Sequence, residues 1–113
     1  VLVTTPDPTS VTDAYATAKV LLKKEPSAKI GVLVNFVRNE QEAHGVFSTL
    51  NAITRQFLDR ELSYWGYVRA DLAAIESVRQ RRPVVLAQPI TEASQDIHRV
   101  AQAMMARRTK SAA

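Results

Sequence analysis

Thr4-Thr5-Pro6-Asp7-Pro8-Thr9-Ser10-Val11-Thr12-Asp13-Ala14-Tyr15-Ala16 joins an apolar run to a sequence of helical pattern through two prolines. An apolar run, Val1-Leu2-Val3, precedes it, and residues 1–4 read as a buried parallel strand. Pro6 and Pro8 stiffen the connection, because each fixes its own φ and drives the residue before it towards an extended shape. Ser10 is expected to cap the following helix, with Asp13 three residues on in the reciprocal position of a capping box. A strand, a rigid loop and a helix start together form the carboxyl edge of an α/β sheet, where such folds bind ligands. The same pattern also serves as a plain βα turn.

Reading outward, Val11, Ala14, Tyr15, Ala18, Leu21 and Leu22 recur at helical spacing, so a helix runs from about Val11 to Lys24. Lys23 and Lys24 suit the negative end of its dipole, and Pro26 stops it. Ile30 to Val34 is a second, almost continuously apolar strand, with Asn35 where it should end. Asn39 caps a second helix with Glu42 as its box partner, and Ala43, Val46, Phe47, Leu50, Ile53, Phe57 and Leu58 form its stripe. Leu62 to Val68 is a third strand, rich in aromatics. Asp71 reads as the N-cap of a short helix marked by Leu72, Ile75 and Val78. Val84-Val85-Leu86 is too short to assign as a strand. Pro89 and Thr91 open a last helix, with Ile97, Val100, Ala101 and Met104 inward and Arg107, Arg108 and Lys110 closing it. Residues 111–113 read as a disordered tail. The order is βαβαβαα, which predicts an α/β fold with a parallel three-stranded sheet and right-handed crossovers.

The chain has 113 residues, the size of one domain, and a formal charge of +4, a mild bias towards anionic partners. It has no cysteine, hence no disulfide and no thiolate metal site, and no apolar run long enough to span a bilayer. It does not begin with Met and starts inside an apolar strand, which reads as a fragment of a longer protein or as trimming.

The three glycines, at 31, 45 and 66, cannot assemble a G-x-x-x-x-G-K-[ST] or G-x-G-x-x-G phosphate loop. His44 and His98 lie on separate helices without metal-ligand spacing. Asn35 is the polar residue best placed for recognition. Its amide sets a donor beside an acceptor, which matches the amino group and ring nitrogen on one edge of adenine. It also fits a residue that satisfies backbone groups at a strand end. The loop Val68-Arg69-Ala70-Asp71 reaches the same sheet edge, so an adenine slot between the two loops is geometrically reasonable, with Asp71 better read as a cap than as a ligand contact. Arg79, Arg81 and Arg82 read as a solvated helix end more than as an anion site. The terminal Met104, Met105, Arg107 and Arg108 carry only a weak membrane-surface pattern.

The opening stretch resembles the T-T-P-E-P-T-S-[IV]-T-D-A-Y-A segment of the FlhG (FleN, YlxH) proteins, MinD/ParA-like P-loop ATPases that set flagellar number and placement. Val34-Asn35 with Glu42-Ala43 and Phe57-Leu58 is similar to that family's V-N-x-V…E-A…F-L pattern. Tyr64-Trp65-Gly66-Tyr67-Val68-Arg69-Ala70-Asp71 is similar to its Y-[LW]-G-x-[IV]-x-x-D segment. Val78 to Pro83, followed by Pro89 and Ala93-Ser94, is similar to its x-V-x-x-[QR]-x-P…P…A-S run. The resemblance implies that residues 1–110 are the carboxyl-terminal part of such an ATPase domain. It implies that Asn35 contacts adenine and that Val68, Arg69, Ala70 and Asp71 close the other side of the base. That loop usually carries a proline, and Arg69-Ala70 stands in its place. It implies ATP or ADP with Mg²⁺ as the parent's cofactor, an ATP-dependent homodimer, and partners among flagellar regulators, switch proteins and the SRP-type GTPase FlhF. It further implies a location in the bacterial cytoplasm, peripheral at the inner membrane, with nucleic acid not a partner. The chain alone is expected to bind no nucleotide firmly and to hydrolyse none, because the phosphate-binding parts that phosphoryl transfer needs are missing. The alternatives are a ParA-like ATPase fragment for DNA or cargo segregation, and a non-enzymatic α/β interaction module.

Overall fold

A computed structural model describes the backbone of residues 1–112 and the side chains of residues 1–107. Its elements are β1 (Leu2–Thr4), α1 (Pro8–Lys24), β2 (Gly31–Val37), α2 (Glu40–Leu58), β3 (Ser63–Arg69), α3 (Leu72–Gln80), α4 (Val84–Ala87) and α5 (Glu92–Ala112). The three strands form one parallel sheet in the order β1-β2-β3. The α/β reading therefore holds, with one element more: Val84-Val85-Leu86 is a single helical turn. The tail expected over 111–113 falls where side chains lie outside the described residues, as do Arg108 and Lys110.

Strand alternation decides the layers. Leu2, Thr4, Val32, Val34 and Val37 are buried, and the apolar ones pack with Ala14 and Ala18 of α1 and Ala43 and Leu50 of α2. That is the main core. The opposite face carries Val3, Leu33 and Trp65, and α5 packs there over β3. A Cβ on Gly31 would run into the Trp65 indole, so a glycine is required where that ring lies flat on β2. A second, smaller group of buried residues, Val68, Ala73, Val84, Ala93 and Val100, belongs to β3 and the three helices after it.

The sheet is interrupted twice. Pairing runs Val32 with Tyr64 and then Leu33 with Gly66, so Trp65 is an extra residue in β3. It runs Asn35 with Val68 and then Val37 with Arg69, so Phe36 is an extra residue in β2. Gly66 (φ 130°) and Phe36 (φ 63°) supply the positive φ of these bulges. Strand β2 thus runs on to Val37, past Asn35, where a strand end is expected from sequence.

Helix α1 begins earlier than Ser10 implies. Pro8 fits the first helical position, where its missing N–H costs nothing and its φ is already helical. Asp7 is therefore the cap, accepting from the Thr9 N–H at 2.9 Å and the Thr9 hydroxyl at 2.8 Å. Ser10 instead holds the loop to the strand, accepting the Thr5 N–H at 3.0 Å and meeting the Thr4 hydroxyl at 3.2 Å. Asp7→Ala should thus lower the melting temperature more than Asp13→Ala, which removes no cap; equal losses would contradict the assignment. At α2, Asn39 does accept from the Glu42 N–H at 2.8 Å. Glu42 returns its carboxylate to the Arg38 N–H and guanidinium rather than to Asn39.

Two apolar stripes lie differently from the sequence expectation. Leu72, Ile75 and Val78 face outward, 82%, 50% and 77% exposed, while Ala73 and Ser77 are buried. The inner face of α5 is Ala93, Ser94, Asp96 and Val100, with Ile97, Ala101 and Met104 more open. Tyr64, stacked on His44 and edge-on to Phe47, carries a buried hydroxyl without a hydrogen-bond partner among the described residues. Burial pushes that phenol up to about 12. Tyr64→Phe should therefore raise stability, by about 1 kcal/mol in urea denaturation, because it removes a desolvated group that gains nothing.

Candidate functional site

The carboxyl ends of β2 and β3 bring Asn35 and the loop 69–71 to one edge. Asn35 is exposed and sits beside buried Val68. Its Oδ1 accepts the Phe36 N–H at 2.8 Å, which fixes the plane of the amide. One lone pair of Oδ1 and the amide NH₂ group remain for a ligand. The next residue, Phe36, holds a left-handed backbone that costs an aromatic about 1–3 kcal/mol, and the residue is 57% exposed. Strain and an exposed aromatic beside an outward amide are what a ligand edge carries. Nothing in the local sequence marks Phe36 apart from Asn35 before it.

The facing loop is tied down residue by residue. Ala70 N–H donates to the Val37 carbonyl at 2.7 Å, which joins the loop to β2. Asp71 caps two helices at once, with Oδ1 on the Ala73 N–H at 2.8 Å and Oδ2 on the Ala93 N–H at 3.1 Å. These two N–H groups, Ala93 first, hold its carboxyl below the usual carboxylate range. Both its oxygens are engaged, so Asp71 shapes the edge from its capping position. Arg69 turns to α5. Its N–H and its Nε both donate to Asp96 Oδ2, at 2.8 and 2.9 Å, and its Nη2 donates to Oδ1 at 3.1 Å. Arg99 adds a bond to Oδ1 at 3.0 Å, and Glu92 lies 3.4 Å from Arg69 Nη1.

Asp96, Arg99 and Glu92 were not among the sequence candidates. A signal for Asp96 existed: it falls on the same helical face as Ala93 and Val100, at i+3 and i−4, where an acid needs a partner. A separate groove of about 610 Å³ between α1 and α2 is lined by Pro6, Pro8, Val11, Gly45, Val46 and Ile53 among others. It is mostly apolar, and its carboxylate, Glu42, is already engaged by Arg38.

No family model matches the chain. It is 37% identical over 101 residues to the antiactivator FleN of Pseudomonas aeruginosa, an alignment covering 89% of this chain and 36% of FleN. It is 29% identical over 102 residues to the flagellum site-determining protein YlxH of Helicobacter pylori, covering 89% of this chain and 34% of YlxH. The fold matches the MinD cell division protein of Aquifex aeolicus with a TM-score of 0.68 at 21% identity, over 92% of this chain and 42% of that one. The chain is similar in sequence to FleN and YlxH and shares the fold of MinD. It spans about a third of the length of the curated relatives it matches.

The free lone pair and NH₂ group of Asn35 set an acceptor beside a donor, the pair that one edge of adenine complements. Phosphate and Mg²⁺ do not fit the residues present, which include no glycine-rich loop. Among the described residues, no helix is long and apolar enough to cross a membrane.

Proposed function

We propose that this chain is the base-binding part of a FlhG-type ATPase. The observation that carries the reading is the outward amide of Asn35, oriented by Phe36 and set beside a loop whose Arg69 and Asp71 side chains are already engaged. Resemblance to FleN and YlxH supports the flagellar context. In the intact protein Asn35 selects adenine, and the loop Val68-Arg69-Ala70-Asp71 closes the base. ATP with Mg²⁺ then drives homodimerisation, cycling at the inner membrane, and control of flagellar number or placement with FlhF and other flagellar regulators. The chain by itself contributes recognition of the base and no phosphoryl chemistry, since that chemistry rests on positioned phosphates and metal.

The test is nucleotide titration of the natural gene product that carries this chain, wild type against Asn35→Ala. An amide pair to a base edge discriminates by about 1–3 kcal/mol, so ATP affinity should fall roughly tenfold or more while GTP binding barely changes. Equal affinity of wild type and variant for ATP sinks the reading.

A further inference from the structure

We infer that Asp96 is the positioning residue of the base slot, acting through Arg69 and never touching the base. The inference rests on the adenine reading above. Asp96 is wholly buried, and each of its oxygens is used. It takes the main-chain N–H of Arg69 as well as its guanidinium, so one carboxylate fixes both the backbone and the side chain of the residue that opens the loop. Arg99 is pinned in turn, donating to the Tyr67 carbonyl at 3.1 Å with its guanidinium over the Tyr67 ring at 4.3 Å. Residues 67, 69 and 71 are thus all tied to α5, through Arg99, Asp96 and Ala93.

A purely structural role is the competing account, and it predicts something different. A buried ion pair is commonly replaceable by apolar residues of similar volume without loss of stability. Such a replacement cannot supply an acceptor for the Arg69 N–H, nor hold position 69 to α5 by directed bonds. The three Asp96 bonds are what holds position 69, main chain and side chain together. Small displacements of a positioning group cost affinity far more than they cost the fold.

The experiment uses the natural gene product and two variants, Asp96→Asn and the double variant Arg69→Met with Asp96→Leu. ATP and GTP are titrated with Mg²⁺, melting temperature is recorded, and hydrogen exchange is followed over residues 69–73. Wild type is expected to prefer ATP. Asp96→Asn is expected to lose about tenfold in ATP affinity and little in GTP affinity, with faster exchange at Arg69. The double variant is expected to keep its melting temperature and still lose adenine preference, so a misfolded Asp96→Asn leaves the inference exposed to test. A double variant that folds and binds ATP as tightly and selectively as wild type overturns the role of Asp96 while the adenine site stands. A wild type that binds ATP and GTP alike overturns the adenine site itself, and this inference with it.

Discussion

Replacing Asp96 with alanine is expected to cost the fold about 3–5 kcal/mol, read from urea denaturation. The carboxylate is wholly buried and receives four hydrogen bonds, three from Arg69 and one from Arg99. Truncation leaves the Arg69 guanidinium, itself largely covered, with only Glu92 at 3.4 Å. The large term is the stranded charge, and the attraction lost is the smaller one. Removing both partners should therefore recover most of the loss. The pH dependence follows in sign. Burial alone would raise the Asp96 pKa, but the Arg69 hydrogen bonds and the charges of Arg69 and Arg99 outweigh it and leave the value lowered. A carboxylate held below its unfolded value stabilises the fold above that value, and the contribution disappears as pH falls through the lowered one. Stability should thus drop below about pH 4, with Asp71 contributing in the same direction. Asp96→Asn should flatten that acid limb, and an unchanged limb would remove Asp96 from the account.

Leu50→Ala is expected to cost about 2–5 kcal/mol, whereas Leu72→Ser should stay within about 0.5 kcal/mol of wild type. Both are leucines at apolar positions of predicted helical stripes. Leu50 is fully buried between α2 and the sheet, among Val32, Val34 and Ala43 of the main core. Its truncation opens a cavity that backbone on both sides prevents from collapsing. Leu72 is 82% exposed at the start of α3, so its serine replacement surrenders almost no buried surface. A loss of several kcal/mol at Leu72 would mean that the stripe of α3 is covered in solution.

That contrast also marks the limit of what the sequence discloses. Periodicity identifies α3 from Leu72, Ile75 and Val78, yet the side that packs is Ala73 and Ser77. Small residues let α3 lie close to its neighbours, and a pattern that weighs only large apolar residues points the wrong way. The alternation of strands and helices, by contrast, is legible, because parallel strands buried on the main face read as apolar runs and Pro6, Pro8, Pro26 and Asn39 punctuate the first three connections. Asp71 is legible as a cap for the same local reason, although its second duty at Ala93 is not. Asp7 is obscured by the familiar look of Ser10 and Asp13, while Pro8 alone carries the signal. Arg69 and Asp96 are 27 residues apart, and only tertiary packing brings them together. Phe36 is invisible because a phenylalanine, not a glycine, occupies the left-handed position of its bulge.

The two extra residues of the sheet have a different standing from their neighbours. Deleting Val34 would turn over every side chain beyond it on β2, exchanging core for solvent. Deleting Phe36 would not, since Asn35 and Val37 already sit opposite Val68 and Arg69, which are consecutive in β3. The ladder would simply close over the gap. Phe36 is thus a residue the sheet can spare, kept in a costly conformation at the point where Asn35 faces out. The chain carries it as a wedge, and a protein shortened by that one residue would keep its layers and lose the tilt of its edge.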